Sequence, residues 1–134
     1  MPHLTVEYSA NLEPDIDAAR LVTTVHEAAL ATGIFPEGGV RTRAARRDVY
    51  AIADGRPDNT FVHLAIRIGA GRSPDARKQA GQTIFAALTG ALEEIFAARP
   101  LGISMELTES NPEMSWKRNN LHDTLARRKE GPAA

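Results

Sequence analysis

The sequence contains no cysteine. Disulfides, thiolate nucleophiles and cysteine-built zinc sites are therefore excluded. It also lacks any apolar run approaching the roughly 18–20 residues that cross a bilayer, so no membrane role is expected. There is almost no excess of one charge. Sixteen Lys+Arg stand against seventeen Asp+Glu, a formal net charge of -1. Domains that grip nucleic acid are usually strongly basic, so no nucleic-acid partner is expected. The N-terminus has no basic stretch followed by an apolar core, which points away from a signal peptide and towards a cytoplasmic protein. What is present, over 134 residues, is 43% hydrophobic and 25% charged. That composition suits one folded domain with its own core.

The chain opens on His3-Leu4-Thr5-Val6-Glu7-Tyr8, an alternating run that predicts a strand. From about Asp15 to Ala31 the period turns helical, with Leu21, Val22, Val25, Ala28 and Ala29 on one stripe, and Gly33 closes it. Val40 to Ala53 reads as extended, and the breakers Asp54 to Asn59 mark the middle of the chain. Thr60 to Ile68 predicts a second strand. Ser73-Pro74-Asp75 then supplies a cap, a proline at the first helical position and an acid in the first turn. The helix they start runs to about Ala97, with Ala80, Ile84, Ala87, Leu88, Ala91 and Ile95 on one face. Leu101 to Thr108 predicts a further strand. In the polar tail, Trp116-Lys117 suggests a short strand and Leu121 to Leu125 a short helix, with a frayed end from Gly131 to Ala134.

The second half echoes the first. A displacement of 60 residues aligns His3-Leu4 with His63-Leu64, Ala10 with Ala70 and Pro14-Asp15 with Pro74-Asp75, five identities in thirteen positions. The expected architecture is α+β: two β-α-β units forming a four-stranded sheet with both helices on one face. The halves fall at about 2–54 and 60–108, with a tail over 109–134, in a single domain. Such a sheet leaves one face uncovered, and another copy of the chain is the expected cover.

Candidate chemistry begins with Pro2. Removal of Met1 would free its secondary amine, and a free amine serves as a general base when its pKa lies near neutrality. Alpha-amino groups titrate near ~8, and burial or nearby cations lower them further. Pro2 also leads straight into a strand, which would hold the amine rigidly. Arg41 and Arg43 alternate on one face of an extended segment, followed by Arg46-Arg47, whose simpler reading is a charged edge strand. Arg72 lies between a strand and a helix N-terminus, where an anion is favoured. Gly69-x-Gly71 is no dinucleotide fingerprint, because Pro74 occupies the third glycine position. The histidines His3, His26, His63 and His122 show no metal-ligand spacing, and no metal is expected; His3 and His63 suggest packing at strand starts. Asn119-Asn120 fits either a turn or polar contacts at a site rim.

These residues also form a recognisable set. Pro2-His3-Leu4-Thr5-Val6-Glu7-Tyr8-Ser9, Ala31-Thr32-Gly33-Ile34-Phe35-Pro36, Arg41-x-Arg43, Ala53-Asp54-Gly55, Phe61-Val62-His63, Ile68-Gly69-Ala70-Gly71-Arg72-Ser73 and Lys117-x-Asn119-Asn120 closely resemble the 5-carboxymethyl-2-hydroxymuconate Δ-isomerase family of the tautomerase superfamily. The likeness runs from residue 2 to about residue 125, and the polar tail continues past the family's usual end. The resemblance implies a tautomerase-like fold assembled as a homotrimer, with Pro2 as the base, and Arg41 and Arg72 as catalytic and substrate-binding arginines. Asn119 is a further candidate for substrate binding. It implies a cofactor-independent isomerase of homoprotocatechuate (4-hydroxyphenylacetate) catabolism. Its substrate would be a small dicarboxylate or tricarboxylate dienol, converted to the 2-oxo isomer. Two other readings stay open at this stage: a related tautomerase acting on another 2-hydroxydienoate or enol, and a non-catalytic trimeric binding module.

Overall fold

The structure is a computed structural model that describes residues 1–131. Of the frayed end expected over Gly131–Ala134, residues 132–134 lie outside the described residues. Strand β1 spans His3–Ser9, helix α1 Ala18–Ala31 and strand β2 Arg41–Arg47. Strand β3 spans Thr60–Ile68, helix α2 Pro74–Ala91, helix α3 Glu93–Ala98, strand β4 Leu101–Glu109 and helix α4 Leu121–Lys129. The sheet order is β2-β1-β3-β4. The outer pairs, β1 with β2 and β3 with β4, are parallel, and the central pair, β1 with β3, is antiparallel. Each half is thus a β-α-β unit with a parallel strand pair, and the two meet across the middle of one mixed sheet. The register does not repeat: His3 lies opposite Arg41, but its counterpart His63 lies opposite Ser104, while Leu101 lies opposite Thr60.

Strand alternation places Leu4, Val6 and Tyr8 of β1, and Val62, Leu64, Ile66 and Ile68 of β3, on one buried face. Helix α1 meets this face with Leu21, Val25 and Ala29, and α2 with Ala80, Ile84 and Leu88. Burying each of the larger side chains contributes about 1.5–3 kcal/mol. The opposite face is polar. It presents His3, Glu7, Arg43, Arg47, His63, Arg67 and Glu106, with Arg43 Nη1 2.9 Å from His3 Nδ1 and His63 Nδ1 2.7 Å from Ser104 Oγ.

Several boundaries differ from the sequence expectation. Helix α1 starts three residues later than Asp15, because Asp17 caps it by accepting from the Arg20 N–H at 3.0 Å. Strand β2 stops at Arg47 rather than Ala53. Val49 is 96% exposed, and Tyr50 stacks edge-on against Phe61 at 6.5 Å instead of joining the sheet. The second helix is interrupted at Leu92, whose φ of -105° and ψ of 4° leave the helical region just after Gly90. Leu92 is buried, so the break turns an apolar side chain inward. No strand forms at Trp116-Lys117, and Trp116 is 83% exposed. His63 is the fourth residue of β3 rather than a strand start, and both it and His3 lie on the open face. Among the described residues, no helix is long and apolar enough to cross a membrane.

Candidate active site

The start of β1, the turn before β2, the end of β3 and the C-terminal segment converge at one end of the sheet. They enclose a cavity of about 450 Å³ lined by Met1, Pro2, Pro36, Gly39, Gly69, Ala70, Arg72, Lys117, Asn119 and His122. No carboxylate is among these groups. Pro2 is buried, and its carbonyl accepts from the Arg41 N–H at 3.0 Å, which ties the first residues of β1 to β2.

Arg72 is held from two directions. Its Nε donates to the Ile34 carbonyl at 3.0 Å and its Nη1 to the Gly69 carbonyl at 3.1 Å. The guanidinium carbon also lies 5.0 Å from the Phe35 ring centre, a cation–π distance. The segments Ala31–Pro36 and Gly69–Ser73, far apart in sequence, therefore meet at this one side chain. Gly71 has a φ of +120°, a conformation that side chains disfavour, and so lets the chain turn sharply between β3 and α2. Ser73 then caps α2, its Oγ accepting from the Ala76 N–H at 3.1 Å.

Arg41 does not line the cavity. It is half-buried beside it, donating from Nη1 to the carbonyl of the lining residue Gly39 at 2.8 Å. Asn119 reaches the site from the tail, its Nδ2 donating to the Gly38 carbonyl at 2.9 Å. Its Oδ1 accepts from the Leu121 N–H at 2.8 Å, next to the start of α4. His122 packs on Gly38 so closely that a Cβ there would lie 2.7 Å from its Nδ1. Lys129 Nζ lies 3.5 Å from Glu37 Oε2 and adds a second tie between tail and turn.

The electrostatics of this end are one-sided. Among the described residues, no carboxylate forms an ion pair with Arg41, Arg72 or Lys117. The amino terminus, here on Met1, has its pKa pushed below the usual value. Burial is the largest cause, followed by the charge and hydrogen bonding of Lys117, then by Arg72 and Arg41.

Of the residues singled out from sequence, Pro2, Arg72 and Asn119 share the cavity, and Arg41 stands at its edge. Arg43 lies instead on the open face of the sheet, and Arg46 and Arg47 pair with carboxylates at the far end. Ala53-Asp54-Gly55 is a turn remote from the cavity, with Asp54 Oδ1 accepting from Asn59 Nδ2 at 2.7 Å. Sequence reasoning assigned no role to Lys117 or His122. Lys117 stood in the motif Lys117-x-Asn119-Asn120 without a role, and His122 only among histidines without metal-ligand spacing.

Comparison with known proteins identifies the family and the fold. The family described as 5-carboxymethyl-2-hydroxymuconate isomerase matches residues 2–125. An Escherichia coli protein named 5-carboxymethyl-2-hydroxymuconate Delta-isomerase is 38% identical over 122 residues, spanning 91% of this chain and 97% of the relative. The crystal structure of a 5-carboxymethyl-2-hydroxymuconate isomerase from Deinococcus radiodurans R1 superimposes with a TM-score of 0.87 at 43% identity, covering 92% of this chain and 93% of the other. A macrophage migration inhibitory factor-like protein from Entamoeba histolytica shares the fold at 12% identity, with a TM-score of 0.61 over 87% of this chain and 95% of its own. By sequence and by fold, the chain belongs to the 5-carboxymethyl-2-hydroxymuconate isomerase family and is an isomerase.

Proposed function

We propose that the chain converts 5-carboxymethyl-2-hydroxymuconate, a dienol, to its 2-oxo isomer, with Pro2 as general base once Met1 is removed. One observation carries this reading: the start of β1 opens into a cavity that has cations and no carboxylate. An acidic substrate meets opposite charge there, and the amine meets like charge. Both effects keep the base neutral and the substrate bound.

The chemistry is a proton relocation. The neutral Pro2 nitrogen takes the proton from the enol oxygen, leaving a dienolate. Charge spreads along the conjugated system to carbon. The protonated amine then returns the proton to that carbon, and the enol oxygen becomes the 2-oxo group. Arg72 holds the carboxylate from within the cavity, Arg41 adds positive charge from its edge, and together they stabilise the oxygen charge as it develops. The hydrogen bonds and ring contact on Arg72 fix it in advance, so little reorganisation accompanies the reaction. Asn119 supplies a polar contact at the rim. The pathway setting is homoprotocatechuate catabolism, and the assembly is a homotrimer that covers the open sheet face.

Pro2→Ala and protein that retains Met1 are both assayed on 5-carboxymethyl-2-hydroxymuconate. Alanine keeps a primary amine in place of the secondary one, so kcat should fall only in part, whereas protein that retains Met1 has no basic nitrogen there and should lose the roughly 10²–10⁴-fold of general-base catalysis; full turnover by the Met1-retaining protein rejects Pro2 as base. The neutral amine is the active form, so kcat/KM falls as pH drops through its pKa. The acid limb should bend below the ordinary ~8 of an α-amino group. Intact mass of the active protein should show Met1 lost, because a retained methionine turns the Pro2 nitrogen into a non-basic amide.

A further inference from the structure

We propose that Lys117 is a substrate-binding residue, holding a carboxylate other than the one gripped by Arg72 and so selecting the more highly charged acid. The inference rests on the isomerase reading above and names the specificity of the same cavity. Lys117 lines that cavity together with Pro2, Arg72, Asn119 and His122. It belongs to an irregular stretch between β4 and α4, where an exposed lysine would ordinarily be solvated and mobile. Its chain is not free. Two residues on, Asn119 is hydrogen-bonded to the Gly38 carbonyl, and His122 is seated on Gly38. The ammonium is thereby kept near the amino terminus and near Arg72.

No carboxylate of the described residues pairs with it, although Lys129, on the same tail, has Glu37. Cations gathered without a counter-charge repel one another, a cost that an anionic ligand reverses. The two side chains also suit different tasks. The Arg72 guanidinium is a planar fork fixed by backbone carbonyls and a ring. Lysine is a compact point charge on a flexible stem, able to follow a carboxylate on a pendant arm. The substrate fits this division, because the carboxymethyl arm adds a carboxylate to the muconate frame.

The test compares kcat/KM on 5-carboxymethyl-2-hydroxymuconate with kcat/KM on 2-hydroxymuconate, the diacid lacking the arm, in wild type, Lys117→Met and Lys117→Arg. The ratio of the two is unaffected by any loss of folded protein, which lowers both rates together. Lys117→Met should cut the triacid-to-diacid ratio by about tenfold or more, the size of one lost charge-assisted contact of ~1.5–3 kcal/mol, and Lys117→Arg should recover most of it. An unchanged ratio, or an equal loss on both acids, overturns the assignment of Lys117 while leaving the isomerase reading intact. If wild type turns over neither acid, the isomerase reading itself fails and takes this inference with it.

Discussion

The two ends of the sheet are built from equivalent pieces but treat charge in opposite ways. At the far end, Arg46 meets Glu13 at 2.8 Å and Asp48 at 2.9 Å, Arg47 meets Glu7 at 2.6 Å and Arg99 meets Asp15 at 3.0 Å. At the cavity end, Arg41, Arg72 and Lys117 bond only to backbone or face the amino terminus. Strand β2 alone spans the contrast, with Arg41 unpaired at its start and Arg46 and Arg47 paired at its finish. The cavity end is not short of acids, since Arg77 pairs with Glu109 at 3.1 Å and Lys129 with Glu37 there. The lack of a carboxylate partner at Arg41, Arg72 and Lys117 is therefore not a lack of acids nearby. The far-end pairs tie β2 and the loops together, whereas the guanidinium of Arg72 beside the amine is held by backbone carbonyls and a ring.

Three substitutions bear on that contrast. Arg72→Ala removes the most firmly positioned cation and should lower kcat/KM by roughly 10²–10³-fold, in the range of one lost transition-state donor. Folding should survive, because Phe35 and the turn at Gly71 remain; steady-state rates and thermal melting on one sample check both halves of the expectation. Gly38→Ala attacks the docking of the tail. The added carbon would lie 3.0 Å from the backbone nitrogen of His122, so α4 must shift. Overpacking of this kind costs about 1–3 kcal/mol, and displacement of Lys117 and Asn119 should lower kcat/KM by up to roughly a hundredfold. Trypsin should then cut faster at Arg127 and Arg128. Arg46→Ala is the smallest. Its partners are exposed and screened by solvent, so the denaturant melt should barely move, with kcat/KM unmoved. A large rate effect from Arg46→Ala would erase the distinction between the two ends.

Much of the fold was readable from local signals. The Ser73-Pro74 start of α2, the closing Gly33 and the alternation in β1 and β3 each carry their own physical cause, and each appears where the sequence places it. The misreadings share a different cause. Val49, Tyr50 and Ile52 have strand-forming side chains, yet β2 ends before them because Tyr50 finds Phe61 across the loop. The break at Leu92 depends on tertiary burial of that side chain, with Gly90 as its only local trace. At the site, Pro2 was visible because a terminal amine is chemically unusual, and Arg72 because it precedes a helix. Lys117 was visible only as part of a family motif and without a role, since nothing in its neighbours reveals that the tail folds back onto Gly38. Family membership, in turn, sets aside the non-catalytic alternative that the residues alone left open.

The antiparallel join between the halves has a consequence for symmetry. A chain possesses a single leading nitrogen, so repeating a β-α-β unit doubles the framework without doubling that atom. Sixty positions after Pro2 stands Val62, an interior peptide within a strand, and opposite His63 stands Ser104 where the first unit has Arg41. However alike the two units are, only one of them carries the leading nitrogen, and the other has a backbone amide in its place.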